Sequence, residues 1–375
     1  MTAPSRTPTP PGGVPVLGAL PLYARAAVLA TIVASVLAIV LDFGLHADPT
    51  AVFLIAAAGI LGLAWVVGLA TERLGALTGP RMGGILNATF GNVAELIIAF
   101  FALQAGLMDV VKASLTGSII GNLLFVLGVS VLVGGFRNGV QRFSKEIAGS
   151  NAALLAVAAI GLFVPAVFAL TTTDPSAGTL TEESVLVALL LIFGYVLSIA
   201  FQFTHPSMTL GGHEPLEGHG GPAWTTRVAV AVLLAAAALL AVLSEVLVGA
   251  IEPFIERFGL STFFLAVVLI PTIGNLAEHL VAVQLAWKNK MEFAMAVCYG
   301  SSLQVALFVA PVLVLLGVVV NKPMNLVFEP LEVAAVGAAV GISALIALDG
   351  ESNWLEGALL TIVYVILAVS FFEFV

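Results

Sequence analysis

The sequence predicts an all-α integral membrane protein of about eleven transmembrane helices, one extra N-terminal helix followed by two inverted five-helix repeats. Three observations carry this reading. Of 375 residues, 60% are hydrophobic and 9% charged, with a mean hydropathy of +1.14. A soluble domain carries about a quarter charged residues, so water cannot be the main solvent of this chain. Apolar runs of the roughly 20 residues that a helix needs to cross a bilayer recur along the whole length. Finally, a short polar motif inside one run returns inside another.

Residues 1–21 hold six prolines, small polar residues and one arginine, with no apolar core; they read as a disordered tail and not as a signal peptide. The apolar runs then fall at about 22–44, 51–71, 84–106, 110–134, 147–170, 184–203, 228–251, 260–287, 292–319, 331–349 and 355–374. The run at 22–44 is the extra helix, 51–203 the first five-helix half and 228–375 the second. Between the halves, 204–227 is a polar linker rich in Gly and Pro that contains His205, His213 and His219. Its spacing fixes no metal geometry, so a solvated loop is the simpler reading.

Orientation follows from Lys and Arg, which accumulate on the cytoplasmic side. Ten of them (Arg6, Arg25, Arg73, Arg81, Arg137, Arg142, Lys145, Arg227, Lys288, Lys290) share one side, against Lys112, Arg257 and Lys322 on the other. The N-terminus is therefore expected in the cytoplasm and the C-terminus across the membrane. The expected location is a prokaryotic plasma membrane. The net charge of −9, without a basic patch, gives no reason to expect a nucleic-acid partner. Cys298 is the single cysteine, which excludes an intrachain disulfide and a thiolate metal cluster.

The repeated motif is Gly91-Asn92-Val93-Ala94-Glu95 and Gly274-Asn275-Leu276-Ala277-Glu278, offset by 183 residues. Without a gap, the same offset pairs Gly117-Ser118 with Gly300-Ser301 and Phe125 with Phe308, giving 11 identities in 35 positions. Shared composition alone gives roughly three or four, so the chain carries an internal duplication. The copies lie on the third and eighth runs. An odd number of crossings separates them, so they enter the membrane from opposite sides.

Glu95 and Glu278 fall inside apolar runs. An ionisable group near the bilayer centre costs about 2.5–3.5 kcal/mol on insertion scales, so two at equivalent positions need a reason that packing does not supply. Helical spacing puts Asn92 with Glu95, and Asn275 with Glu278, on shared faces. The run after the first motif carries a small, polar stripe of Ser114, Gly117, Ser118, Gly121 and Asn122; its counterpart offers Gly300, Ser301 and Gln304. Small-residue helix packing explains the glycines but not Asn122 or Gln304. Two carboxylates, four amides and two hydroxyls can thus converge at mid-membrane, the hard-oxygen set that a divalent cation such as Ca²⁺ takes. Pro271 and Gly83-Gly84 are placed to break the two helices near the motifs, which would free backbone carbonyls as well. The same carboxylates bind protons, so proton and cation can compete for one site. His279, about 100° round the helix from Glu278, can relay protons or simply be packed. Glu72 and Glu245 sit near the ends of their runs, lining access routes or facing headgroup water.

These stretches resemble the α-repeats of the calcium/proton exchanger (CAX) family of the calcium/cation antiporters. The first repeat is Thr89 to Ile97 together with Lys112 to Asn122. The second is Gly274 to His279, with Lys288 to Met291 and Gly300 to Leu307. The resemblance extends loosely over Ala51 to Phe374. It implies Ca²⁺/H⁺ antiport, with Glu95 and Glu278 as the shared carboxylates and Asn92, Asn275, Ser301 and Gln304 lining the site. It also implies proton coupling through His279 and an ion passage near Glu72 and Glu245. The long acidic stretch that many members carry between the halves is missing; the linker has only Glu214 and Glu217. The expected partners are Ca²⁺, Mn²⁺ or other cations, protons and the lipid bilayer, with no cofactor beyond the transported ions. A homo-oligomer is left open. Na⁺-coupled or monovalent-cation/H⁺ exchange is the competing reading. An intramembrane enzyme is a weaker one, since neither a His-Glu-x-x-His nor a Gly-x-Ser-x-Gly motif is present.

Overall fold

The computed structural model describes residues 18, 20–173, 175–204 and 224–373. The expected tail, apart from its last residues, and the linker histidines lie outside them. Among the described residues ten helices are long and apolar enough to cross a membrane. They are α1 (Leu22–Gly44), α2 (Pro49–Thr78), α5 (Met108–Asn138), α6 (Lys145–Thr171), α7 (Ala177–Thr204), α8 (Thr226–Gly249), α10 (Thr262–Trp287), α11 (Met291–Val319), α12 (Pro330–Ala347) and α13 (Trp354–Glu373). The expected third run is instead two short helices, α3 (Pro80–Phe90) and α4 (Val93–Ala105). A further short helix, α9 (Ile251–Phe258), precedes α10.

The break in the third run falls at Gly91-Asn92, inside the motif, and not at Gly83-Gly84 as the sequence suggests. Gly83 has another use: a Cβ there would come within 3.2 Å of Gly75 Cα, so this glycine lets α3 cross closely over the end of α2. Pro271 does not break α10 either. It follows a π-helical turn, Leu265–Leu269, where the wider ladder accommodates its missing N–H. Similar turns interrupt α5 at Gly121–Val126 and α11 at Val305–Val309, matching positions of the two copies. Such turns cluster at functional sites.

The sequence also sets the ends. Asp48 caps α2, accepting from Thr50 N at 3.0 Å and Ala51 N at 3.3 Å, with Pro49 opening the first turn. Gly106, at φ 84°, closes α4 with the left-handed residue that other side chains disfavour. Glu329 and Glu332 form a reciprocal capping box at the start of α12.

Burial sorts the helices. In α5, 72% of the apolar window is buried, against 17% in α1 and α13. The outer helices present Leu, Val, Ile and Phe outward, as a lipid solvent requires. The centre is built from α4, α5, α10 and α11, with α2 packed against α10 and α8 against α4. Close approach comes from glycine: a Cβ on Gly117 of α5 would lie 2.3 Å from Val267 O of α10, and one on Gly357 of α13 would lie 2.2 Å from Leu132 N of α5.

Polar contacts gather at two opposite ends of the bundle. At one end Arg257 pairs with Asp48, and Ser261 donates to Phe371 O at 2.6 Å. There Lys112 donates to Asn325 Oδ1 at 2.7 Å and Val327 O at 2.8 Å, holding the extended segment before α12. Glu332, 1% exposed, accepts from Thr116 Oγ1 at 2.8 Å and from Glu329 N at 2.9 Å. At the other end a two-residue ladder joins Gln141–Arg142 to Glu351–Ser352, with Arg142 and Glu351 paired at 3.0 Å. Gln141 donates there to Ala286 O at 2.9 Å and Asn289 Oδ1 at 3.0 Å.

Candidate functional site

The two motif copies meet between these ends, each against the other. A Cβ on Gly274 would lie 3.2 Å from Glu95 Cγ, and one on Gly91 would lie 3.6 Å from Glu278 Oε1. Each motif glycine is therefore the surface on which the other motif's glutamate rests. Neither glycine needs a left-handed backbone, so the missing side chain is used for space. The two carboxyl groups are close enough to interact electrostatically. Glu95, on the first turn of α4, is buried at 8% exposure, and Glu278 on α10 is half-buried.

Four of the other expected residues form one chain of hydrogen bonds across the halves. Asn122 Nδ2, in the π turn of α5, donates to Ser301 Oγ of α11 at 3.0 Å. Ser301 Oγ donates in turn to Asn92 Oδ1 at 3.1 Å. Asn92 Nδ2 then donates to Gln304 Oε1. Asn92 occupies the break between α3 and α4, and Gln304 directly precedes the π turn of α11, so local irregularity places both amides. Ser301 also lies beside Glu278.

Other polar atoms of the site are unpaired. Both carboxylate oxygens of Glu95, and both Oδ1 and Nδ2 of Asn275, have no hydrogen-bond partner, although Asn275 lies beside Glu95 and is 1% exposed. Leaving a buried polar group unsatisfied costs about 1–3 kcal/mol, more for a charged one. Such groups in the core of a bundle are what a bound cation or proton would satisfy. A small cavity in front of Glu95, with room for about one water-sized particle, is lined by Ser114 and Ser118 of α5 and by Ile98, Ala99, Ile270 and Pro271.

His279 is buried on α10 with Nδ1 unpartnered, and it does not join the hydrogen-bonded chain. Nor do Glu72, half-buried on α2, and Glu245, exposed on α8. Their helices are nonetheless adjacent to the site, α2 against α10 and α8 against α4. Sequence reasoning passes over Thr71 of α2, a buried hydroxyl without a partner, and the buried Glu332. The Glu329-Pro330-Leu331-Glu332 capping pattern is the available signal for the latter.

Known proteins resemble this chain in sequence and fold. The family model described as sodium/calcium exchanger protein matches the chain twice, at residues 49–204 and 228–372. A protein of Aphanothece halophytica named Ca²⁺/H⁺ antiporter is 42% identical over 341 residues, covering 88% of this chain and 91% of its own length. The Ca²⁺/H⁺ antiporter ChaA of Bacillus subtilis is 42% identical over 335 residues, covering 88% and 93%. Among solved structures, native YfkE superimposes with a TM-score of 0.79 at 36% identity, covering 92% of this chain and 99% of that one. The H⁺/Ca²⁺ exchanger CAX shares the fold at 0.72 and 16% identity, covering 93% and 92%. The chain belongs to the sodium/calcium exchanger protein family.

Proposed function

We propose that the chain is a secondary-active antiporter that exchanges Ca²⁺ for H⁺ across a membrane by alternating access. The observation that carries this is the pair of Glu95, buried, and Glu278, half-buried, one from each motif copy, with both oxygens of Glu95 unpaired in an apolar bundle. Two carboxylates neutralise a divalent ion, and amide and hydroxyl oxygens complete its preferred shell. Without the ion, the negative charge is balanced by protons taken up where the cation leaves. The site residues are Glu95, Glu278, Asn92, Asn275, Ser118, Asn122, Ser301 and Gln304. His279 relays protons, and Glu72 and Glu245 border the ion's route. The names of the relatives support the coupling ion and the cargo.

The two five-helix halves, 51–203 and 228–375, rock about this centre, and the double match of the family model supports that division. The Lys/Arg bias supports a cytoplasmic N-terminus and a C-terminus on the opposite side of a prokaryotic plasma membrane. Reporters fused to both ends test this; finding both on one side would remove the eleven-crossing arrangement. The functional test is purified protein in liposomes under an imposed pH gradient, with uptake of Ca²⁺, Mn²⁺ and Na⁺ measured separately. Ca²⁺ accumulation driven by the pH gradient is expected. Ca²⁺ movement that requires a Na⁺ gradient and ignores pH would replace this reading with sodium coupling.

A further inference from the structure

The duplicated site is not symmetric, and the asymmetry has a cause in the sequence. On one side of the site, Asn92 has both amide atoms engaged, Oδ1 by Ser301 and Nδ2 by Gln304, while Ser301 also accepts from Asn122. The constant offset of 183 residues makes Asn275 the twin of Asn92 and Ser118 the twin of Ser301. It also sets Gly121 opposite Gln304 and Val305 opposite Asn122. Symmetry would therefore have Asn275 bonded to Ser118 and to a side-chain amide at 121. Gly121 has no side chain, and a Cβ built there meets nothing within 4 Å. Val305 has no donor to offer Ser118. Asn275 is accordingly left with neither amide atom paired, at 1% exposure, beside the unpaired carboxylate of Glu95. The cavity opens on this same side of the site, against Glu95 and Ser118.

We infer that the two sides of the site, each built from both sequence halves, have divided the work: Glu95, Asn275 and Ser118 engage the cation on one side, while Asn92, Ser301, Gln304 and Asn122 are tied to one another and act as a positioning frame that holds the second carboxylate ligand, Glu278, and α11 in place. The inference rests on the proposed cation exchange and assigns its contacts. An oxygen that already accepts a hydrogen bond has one lone pair committed and its direction fixed by that partner, whereas an unpaired buried oxygen has both lone pairs to offer an ion and an unmet cost to recover. Free side-chain oxygens therefore bind more favourably than bonded ones of the same chemistry. Gly121 is then a specificity device: it keeps a competing amide away from Asn275.

Calorimetric titration of Ca²⁺ into the detergent-purified full chain tests this, with thermal unfolding followed on the same samples. Asn275→Ala should weaken binding by about 10–100-fold, the range seen when a group supporting a metal is lost. Gly121→Gln should weaken it too, by giving Asn275 the partner its twin has. Gly121→Leu brings similar bulk without an amide, so a loss of affinity in Gly121→Gln beyond that in Gly121→Leu is the part due to pairing with Asn275. Within the frame, Asn92→Ala and Gln304→Ala should lower thermal stability, and the double variant should be no worse than the poorer single one, since they break one bond. Wild-type affinity in Asn275→Ala overturns the assignment. If that variant does not fold, wild-type affinity in Gly121→Gln overturns it equally, as do additive losses in the frame pair. A wild-type protein that binds no Ca²⁺ at all would instead bring down the proposed function beneath it.

Discussion

Glu95 and Glu278 each rest on the glycine of the other copy, so the motif is a reciprocal contact and its residue types follow from that. Glycine makes the room, asparagine supplies an amide one turn from the carboxylate, and the small Ala94 and Ala277 leave the helices close. Glu95→Gln and Glu278→Gln keep the volume and one oxygen but remove the charge and the titrating proton. Each is expected to abolish Ca²⁺/H⁺ exchange in liposomes while thermal unfolding and membrane insertion stay as in the wild type. A properly inserted variant exchanging near the wild-type rate would remove that carboxylate from the shared site. These two residues were legible in the sequence because an ionisable side chain in an apolar run has no cheaper explanation. The state of Asn275 was not. Whether an amide is paired depends on residues distant along the chain: Asn92 is tied to Ser301 and Gln304, 209 and 212 positions away, and Asn275 has no such partner. Only the folded chain brings those positions together.

At the scale of elements, glycine spacing and irregular turns decide where helices touch. The sequence showed which helices exist, since length and apolarity are local properties. It did not show that the third run breaks at Gly91-Asn92, because Gly83 and Gly84 are equally good breakers until a partner helix is known to need the space at Gly83. The extra helix α1 illustrates the same dependence. It packs on α2 and α8 through Ala24, Thr31, Ser35 and Ala38, all small. A Cβ on Gly62 of α2 would lie 2.0 Å from Thr31 Oγ1 and 2.8 Å from Thr31 Cβ. Gly62→Ala should therefore destabilise the protein by about 1–3 kcal/mol, the usual cost of overpacking. The clash is with the Thr31 side chain, so adding Thr31→Gly should restore most of the loss. Thermal unfolding in detergent reads both. A Gly62→Ala protein as stable as wild type would mean that α1 does not press on α2 at this point.

For the whole molecule, the proposed exchange requires that one centre serve two ligands and be reached from two sides. Alternating crossings place the Arg257–Asp48 and Lys112–Asn325 contacts at one end and the Arg142–Glu351 ladder at the other, with the carboxylates between. If proton and Ca²⁺ share those carboxylates, each must exclude the other. The sign follows directly: lowering pH protonates the carboxyls, a protonated carboxyl is a poor Ca²⁺ ligand, and apparent Ca²⁺ affinity falls. Where both must lose a proton before Ca²⁺ binds, affinity should fall roughly a hundredfold per pH unit, one factor of ten for each proton released. A slope near tenfold per unit would mean that one carboxyl alone is linked to the cation. Calorimetry of Ca²⁺ binding from about pH 5 to 8, a range that reaches above the ordinary carboxylate value, separates these cases. An affinity that is flat throughout would exclude competition at a shared site and leave protons a separate path, for which the buried His279, next to Glu278 in the chain and with Nδ1 unpaired, is the candidate.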